Sequence, residues 1–368
     1  MITGTGAMTA PQVDPSLFKT KQHFQVLDGL RGVAALVVVV FHFMEVVYTD
    51  PVTNVLGHGF LAVDFFFCLS GFVIAYAYDN RMKQLGIAAF FKSRITRLHP
   101  LVVLGSALGL AGFLFDPFSA GIGDYSAGRI ALLFLASVLM IPFPVMADRY
   151  YNLFGLNAPS WSLFWEYVAN LLYGLLLWKA NRRVLAGLLL AATGAIAFVA
   201  YTKGNVVGGW SKESFWDGAA RVSFSFLAGM LLFRYNIIIK NKLGFAGLAV
   251  LLLAALLMPY FRYNWLAELL VVVIYFPLLV ALGAGTQVSG VMEKICSFSG
   301  KLSYPLYMTH YMVIWSFANY YNKYKPGGAE LSVIITGGVI VLVIFAYLAM
   351  VLYDTPVRRY LSRKRNPG

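Results

Sequence analysis

The chain has 368 residues, of which 60% are hydrophobic and 12% are charged, and its mean hydropathy is +0.72. A soluble domain has about 25% charged residues, so this composition excludes a soluble globular protein and predicts that most of the chain faces lipid. The formal net charge of +13 does not indicate nucleic-acid binding, because the Lys and Arg residues lie mostly in short connectors between apolar runs.

The two ends of the chain are polar. The first 26 residues contain no apolar core, so we expect no cleavable signal peptide. The predicted division is a cytoplasmic N-terminal tail over 1–26, a transmembrane domain over 27–354 and a basic cytoplasmic tail over 355–368. Cys68 and Cys296 lie in or beside apolar runs without metal-ligand spacing, so neither a zinc site nor a disulfide is expected.

Eleven apolar segments follow one another along the chain. Each approaches the roughly 20 residues that a helix needs to cross a bilayer. The segments are 28–48, 59–78, 98–115, 129–146, 160–179, 184–201, 218–234, 243–260, 265–284, 303–320 and 331–353. This pattern predicts an all-α fold, a polytopic integral membrane helical bundle.

Basic connectors predict the orientation of the bundle. The loop between the second and third segments carries five Lys or Arg residues between Arg81 and Arg97, whereas the loop after the first segment carries none. The richer loop is therefore expected in the cytoplasm, together with both termini, which requires an even number of crossings. We predict about ten transmembrane helices, with 129–146 as a re-entrant element because it ends in an Ile-Pro-Phe-Pro run. Eleven crossings is the alternative.

The first segment contains two ionisable residues, Arg31 and His42. They are eleven residues apart, so they lie on one helix face about 16 Å apart along the axis. Arg31 fits an anchor at the cytoplasmic edge. His42 lies too deep to reach the interface, which indicates a functional imidazole or a core histidine that hydrogen-bonds across helices. Glu45, one turn further along the same face, is placed to orient that ring.

Two carboxylates enter the predicted membrane region from the outer side. Asp64 stands among phenylalanines without a cation in its own helix, so it needs a partner from another helix or a raised pKa. Glu166 lies about one to two turns inside the fifth segment. Both are near 9 Å deep, which is also the level that His42 reaches from the opposite side, and this predicts that three titratable groups converge on one plane. Gly71 is best explained by a close contact between helices.

Two further polar features follow. Arg94 and Arg97 are three residues apart at a helix start, which is typical of membrane anchoring and equally of a fork for phosphates. His310 is predicted within the tenth segment, about 10 Å above the cytoplasmic face and surrounded by tyrosines, whose hydroxyls alone would satisfy the ring.

Five sequence motifs together resemble acyltransferase family 3, a family of integral membrane O-acyltransferases. In chain order they are LDGLRGVAALVVVVFHF, FLAVDFFFCLSGFVI, FFKSRITRLHP, WSLFWE and SYPLYMTH. The resemblance covers nearly the whole chain, with small departures at Cys68 and Phe164. Because some members carry an extra extracellular hydrolase-like domain and this chain ends soon after the last segment, we expect the stand-alone form.

The resemblance implies site residues and substrates. It makes Arg31 and His42 essential, and it assigns roles to the paired arginines Arg94 and Arg97, to Glu166 and to His310. It also implies an acyl coenzyme A donor, with acetyl-CoA favoured. No metal is expected.

The same residues suggest a reaction. A neutral imidazole suits the proton transfer of acyl exchange, so His42 is predicted as the general base or a transient acyl carrier, with Glu166 or Asp64 orienting it. The arginines Arg31, Arg94 and Arg97 would bind the donor phosphates from the cytoplasm. The acceptor would be a carbohydrate or lipid-linked sugar of the cell envelope, reached from the outer side of a bacterial inner membrane. The alternative is a transporter with a polar site at the midplane, although the sequence contains no inverted repeat.

Overall fold

The computed structural model describes residues 23–119, 121, 123 and 125–363, except for the side chain of Arg363. Over these residues the chain is helical, and the described part contains no β-strand beyond one isolated bridge between Asn152 and Ser211. The predicted all-α fold is confirmed. Most of the predicted N-terminal tail and the last five residues of the predicted C-terminal tail lie outside the described residues.

Fifteen α-helices make up the described part of the chain. They are α1 (Gln25–Val47), α2 (Ala62–Tyr78), α3 (Met82–Leu85), α4 (Ile87–Phe115), α5 (Ala127–Val138), α6 (Ser160–Leu172), α7 (Arg182–Lys203), α8 (Phe215–Arg234), α9 (Gly244–Leu256), α10 (Asn264–Leu270), α11 (Phe276–Ala284), α12 (Gly290–Thr309), α13 (Tyr311–Tyr324), α14 (Gly328–Leu348) and α15 (Thr355–Arg363). Three π-helical turns, at Tyr173–Leu177, Val271–Tyr275 and Ala349–Asp354, continue α6, join α10 to α11 and join α14 to α15.

Six helical stretches within the described residues are long and apolar enough to cross a membrane. They are Gln25–Val47, Gly59–Tyr78, Ile87–Phe115, Arg182–Lys203, Asn264–Ala284 and Gly328–Ser362. Shorter apolar helices lie beside them, so the protein is a polytopic membrane bundle, as predicted. The number of ten crossings stays a prediction.

The predicted re-entrant segment 129–146 is helical only in its first part. Helix α5 has 12 residues and is therefore about 18 Å long, well short of the roughly 30 Å of a hydrocarbon core. Ser137 in α5 hydrogen-bonds Ser106 in α4 at 2.8 Å, and both hydroxyls are buried. The chain then runs without regular helix as far as Ala147. This geometry supports an element that dips in rather than spans.

The prediction of one continuous helix over 303–320 is wrong at His310. The chain breaks there into α12 and α13. The side chains just before the break compete for helix carbonyls: the Thr309 hydroxyl donates to the Pro305 oxygen and His310 Nδ1 donates to the Leu306 oxygen. Such local side-chain bonds offer the backbone an alternative to the helix ladder, which explains the interruption.

Helices α2 and α8 are in extensive contact with each other. A Cβ on Gly71 would collide with the carbonyl oxygen of Phe226, and one on Gly229 with that of Cys68, so only glycine permits this approach. The interpretation of Gly71 as a close helix contact therefore fits the structure. Ion pairs join the two helices near both ends, and both cysteines of the chain are buried.

Candidate active site

A cavity of about 970 Å³ opens between α1, α2, α4, α6, α12 and α15. Its volume is at the upper end of the range for small-molecule sites, about 300–1,000 Å³. Seven basic side chains line it, against three carboxylates, so it attracts anions. The basic residues are Arg31, Lys92, Arg94, Arg97, Lys301, Arg358 and Arg359, and we call the end of the bundle that carries them the basic end.

The three arginines predicted to bind phosphates all line this cavity. Arg31 is held by Asp28 at 2.7 Å, by the Ser303 hydroxyl at 3.1 Å and by the Gly300 carbonyl at 2.9 Å. Arg97 is exposed, and within the described residues it has no carboxylate at salt-bridge distance. Its guanidinium is therefore available to a ligand.

Arg94 and Glu166 form an ion pair in the cavity wall, with Nη2 at 3.1 Å from Oε1. The hydroxyl of Ser70 donates to the same carboxylate oxygen at 3.0 Å. Arg94 is buried, and its Nε has no hydrogen-bond partner within the described part of the chain. Because an unpaired buried donor is costly, this atom is suited to a ligand that enters the cavity.

The two predicted catalytic histidines lie against each other. The rings of His42 and His310 stack with centroids 5.3 Å apart and planes inclined by 22°. His310 is fully buried, while the His42 side chain keeps 19% exposure. The structure therefore places His310 beside His42, at the end of the 20-residue helix α12. The sequence predicted His310 only about 10 Å above the cytoplasmic face, because it started this segment at residue 303 and not at Gly290.

Hydrogen bonds define which imidazole nitrogens remain free. His42 Nδ1 lies 2.5 Å from Glu45 Oε1, so the carboxylate accepts a hydrogen bond from Nδ1–H, and in this tautomer Nε2 keeps its lone pair. His310 Nδ1 donates to the Leu306 carbonyl at 3.1 Å, and its buried Nε2 has no partner in the described structure. In the tautomer with its proton on Nδ1, each ring presents an Nε2 able to accept a proton.

Aromatic side chains lie between the cavity and this histidine pair. Tyr307 and Phe66 line the cavity and meet edge to face, with ring centroids 5.9 Å apart. The Tyr307 hydroxyl hydrogen-bonds Ser162 at 2.6 Å, and its ring lies 6.0 Å from that of His310. Neither histidine lines the cavity itself, and Tyr307 is a cavity residue whose ring contacts the pair.

Asp64 does not join this group. It forms a two-pronged ion pair with Arg221, at 2.6 and 3.1 Å, and both side chains are completely buried. Thus the partner that Asp64 required comes from α8. His42, Asp64 and Glu166 each have a different partner, and the predicted convergence of the three groups is not what the structure forms. Glu45, not Glu166 or Asp64, orients His42.

Arg149 lies between two aromatic rings, one of which is linked through Tyr311 to His42. Its guanidinium is 5.1 Å from the Phe113 centroid and 4.6 Å from the Trp315 centroid. Trp315 packs on Tyr311, which packs on His42. Burial lowers the pKa of Arg149 to about 10, so it stays charged at neutral pH.

Sequence reasoning missed several of these residues. Arg221 lies in the predicted segment 218–234, where the sequence indicates no ion-pair partner. Arg358 and Arg359 lie in 355–368, which was predicted only as a basic cytoplasmic tail. Tyr307 was noted only as a possible partner of His310. The sole available clue was that each is a polar or aromatic residue in or beside an apolar run. No cluster of His, Cys, Asp and Glu that would hold a metal ion occurs among the described residues.

The chain is similar to several named bacterial proteins, among them one from Rhizobium radiobacter and one from Staphylococcus aureus. "Protein 2 in picA locus" of Rhizobium radiobacter is 34% identical over 188 residues, which cover 48% of this chain and 94% of that protein. A protein of Staphylococcus aureus (strain COL) named "Putative O-acetyltransferase" is 24% identical over 373 residues, covering 93% of this chain. The chain spans 58% of the length of that S. aureus protein. No solved structure gives a significant match.

The family comparison covers most of the chain. The model of acyltransferase family 3, described as an acyltransferase domain, matches residues 24–353. That range contains every element of the cavity wall except α15, and it contains both histidines of the stacked pair. The chain therefore belongs to acyltransferase family 3, and it is an acyltransferase embedded in a membrane by several helices.

Proposed function

We propose that this protein is an O-acetyltransferase of a bacterial inner membrane. It moves an acetyl group from cytoplasmic acetyl-CoA to a hydroxyl of a cell-envelope or exported glycan. The observation that carries the proposal is the basic cavity, one of whose lining residues, Tyr307, contacts the stacked pair His42 and His310. The similarity to the S. aureus protein named "Putative O-acetyltransferase" supports the acetyl group.

The donor would enter the cavity from the basic end, which we assign to the cytoplasm together with both termini. Coenzyme A carries a diphosphate and a 3′-phosphate, and guanidinium groups bind phosphate oxygens in a fork. Arg97 has free donors, and Arg94 has the unpaired Nε, so these two side chains are the proposed phosphate ligands with Arg31. Glu166 holds Arg94 in place.

The acetyl transfer needs a base near the attacking oxygen. In the proposed step, Nε2 of His42 removes the proton of the acceptor hydroxyl as its oxygen attacks the thioester carbonyl. The carbon–sulfur bond then breaks, and the thiolate of coenzyme A takes the proton from the imidazolium. Glu45 accepts the Nδ1 hydrogen bond and stabilises that imidazolium. His310 packs on the opposite ring face and keeps His42 in position.

The thioester would reach His42 past the rings of Phe66 and Tyr307. Both rings line the cavity and pack on each other, and Tyr307 also contacts His310, so a rotation of the Tyr307 side chain would open a way to the histidine pair. The acceptor would arrive from the other end, where His42 and Glu45 retain partial exposure. Donor and acceptor would thus meet at His42 from opposite faces of the membrane.

Release of the coenzyme A thiol tests the proposal directly. The full-length protein in lipid nanodiscs is given acetyl-CoA and an envelope glycan fraction, and free thiol is measured against the His42→Gln variant. We expect release that depends on both substrates and on His42. Absence of coenzyme A binding to the wild-type protein would overturn the proposal. Mass spectrometry of envelope glycans with and without the gene identifies the acyl group.

The transporter alternative makes a different prediction, namely uptake of an unmodified solute driven by an ion gradient. We do not retain it, because the chain belongs to an acyltransferase family.

A further inference from the structure

The last helix of the described chain, α15, forms part of the cavity wall. Thr355, Arg358, Arg359, Leu361 and Ser362 all line the cavity, and α15 packs against α4, the helix that carries Arg94 and Arg97. The match to acyltransferase family 3 ends at residue 353. A segment outside the family domain therefore contributes to the wall of the binding site.

A π-helical turn positions α15. The turn over Ala349–Asp354 joins α14 to α15 without a break in the helical stretch. Asp354, its last residue, is buried and lines the cavity. Its Oδ2 accepts a hydrogen bond from Arg358 at 2.9 Å, while its buried Oδ1 has no partner within the described residues. This unpartnered oxygen at the cavity is suited to a ligand that donates a hydrogen bond.

The two arginines of α15, Arg358 and Arg359, differ in their partners. Arg358 is tied to Asp354, but Arg359 is exposed and has no carboxylate at salt-bridge distance among the described residues. An arginine with free donors thus stands beside a carboxylate with a free acceptor. A nucleotide offers both complements, a phosphate for the guanidinium and an amine or ribose hydroxyl for the carboxylate.

Resting on the proposed function, we infer that α15 forms the nucleotide subsite of the donor cavity. Arg358 and Arg359 bind the 3′-phosphate of coenzyme A, and Asp354 Oδ1 accepts a hydrogen bond from the adenosine. The proposed chemistry sets the orientation of the donor. The thioester must lie beside Tyr307, whose ring is 6.0 Å from that of His310, and the nucleotide then takes the part of the wall that α15 forms against α4.

The test compares two ligands that differ only in the 3′-phosphate, coenzyme A and dephospho-coenzyme A. Their dissociation constants are measured by calorimetry on the full-length protein in nanodiscs of neutral phosphatidylcholine. The variants are Arg359→Ala and, as a matched control, Lys83→Ala, which removes an exposed cation that does not line the cavity. Arg359→Ala should weaken coenzyme A binding about tenfold or more, the effect of one charge-assisted contact.

The same variant should bind dephospho-coenzyme A within about twofold of the wild type, because the lost contact concerns the 3′-phosphate alone. Lys83→Ala should leave both constants unchanged. Equal affinity of Arg359→Ala and wild type for coenzyme A would overturn the inference and leave α15 as a lipid anchor. Equal losses for both ligands would also overturn it, since the arginine would then contact a shared group. Failure of the wild type to bind coenzyme A would instead defeat the proposed function.

Discussion

Two arginine–carboxylate pairs in this protein have the same chemistry and opposite surroundings. Arg221 donates all five of its N–H groups, two to Asp64 and the rest to the carbonyls of Phe60, Val207 and Gly208. Arg94 makes one ion-pair contact with Glu166, and its Nε is unpaired. The first pair is sealed in the bundle, whereas the second lies in a cavity wall.

The difference shows how to separate structural from ligand-binding charges. A guanidinium with every donor satisfied has nothing to offer a substrate, so Arg221 fixes α8 to α2 and to the loop around Gly208. A guanidinium with an unused donor beside a cavity is incomplete without a ligand. Depth in the membrane, which put Asp64 and Glu166 at one level, does not distinguish the two cases. Hydrogen-bond saturation does.

We call Arg221–Asp64 the sealed pair and Arg94–Glu166 the open pair. The largest effect on activity is expected at the candidate active site, next to the cavity whose wall contains the open pair. His42→Gln keeps a polar side chain but cannot accept the hydroxyl proton at neutral pH, so turnover should fall by about two to four orders of magnitude. Coenzyme A binding should stay near normal, because the cavity arginines are untouched. Turnover and binding are measured on the same preparation. Activity within about threefold of the wild type would contradict the assignment and point to His310.

Breaking the sealed pair should affect stability instead. Arg221→Leu leaves the Asp64 carboxylate buried without a partner, which costs about 3–5 kcal/mol. Thermal unfolding in detergent should show a large fall in Tm. Adding Asp64→Leu should recover part of the loss, since no charge is then stranded, although three carbonyls lack their donor. An unchanged Tm in the single variant would show that the pair does not hold α2 to α8.

The open pair should show the reverse pattern. Arg94→Ala and Arg97→Ala should each weaken donor binding by about 1.5–3 kcal/mol, the contribution of a hydrogen bond to a charged group, with little change in turnover at saturating donor. Their Tm values should stay near that of the wild type. Apparent affinities for acetyl-CoA equal to the wild-type value would mean that the phosphates bind elsewhere.

A smaller effect tests the closeness of α2 and α8. Gly71→Ala introduces a methyl group against the Phe226 carbonyl, and overpacking of this kind costs about 1–3 kcal/mol. Gly187→Ala in α7 is the matched control, because a Cβ there meets nothing within 4 Å. The Tm should fall for the first variant and hold or rise slightly for the second. Equal Tm values would show that the two helices can separate without loss.

The last prediction concerns the orientation of the helices in the membrane and involves no change in stability. Single cysteines at Val52 and Asp148 should react with an impermeant thiol reagent from one side, and a cysteine at Lys83 from the other. All three positions are exposed, and the two native cysteines are buried, so background labelling should be low. Labelling of Asp148→Cys from the cytoplasm alone would contradict the ten-crossing topology.

Sequence alone predicted what depends on local periodicity. The first helix, with Arg31 and His42 eleven residues apart, follows from apolar spacing, and so do most segment ends to within a few residues. The motifs also led to the correct family. Side-chain partners on different helices were harder to predict. The rotation and depth of a helix depend on its packing against other helices, which the sequence of one segment does not determine. For that reason Glu166 was expected beside His42, whereas the structure pairs it with Arg94.

Side-chain competition for backbone explains the other error. The one helix breaker in SYPLYMTHYMVIW is Pro305, yet it lies inside α12 and the break comes five residues later. There the Thr309 and His310 side chains capture carbonyls of the preceding turn. That interruption brings His310 against His42. The periodicity of the sequence predicted a continuous helix, and from that helix the contact between His310 and His42 could not be predicted.

The burial of both cysteines has a consequence for the proposed thioester donor. Thiol exchange requires an accessible thiolate, and Cys68 and Cys296 are each enclosed by packed helices. An acyl-CoA bound as proposed would therefore meet no accessible cysteine thiol to which it could lose its acyl group. Self-acylation at cysteine is avoided by the fold itself, and an acyl adduct recovered from the folded protein should lie on a nitrogen or an oxygen atom, with the cavity lysines Lys92 and Lys301 among the candidates beside imidazole and hydroxyl groups.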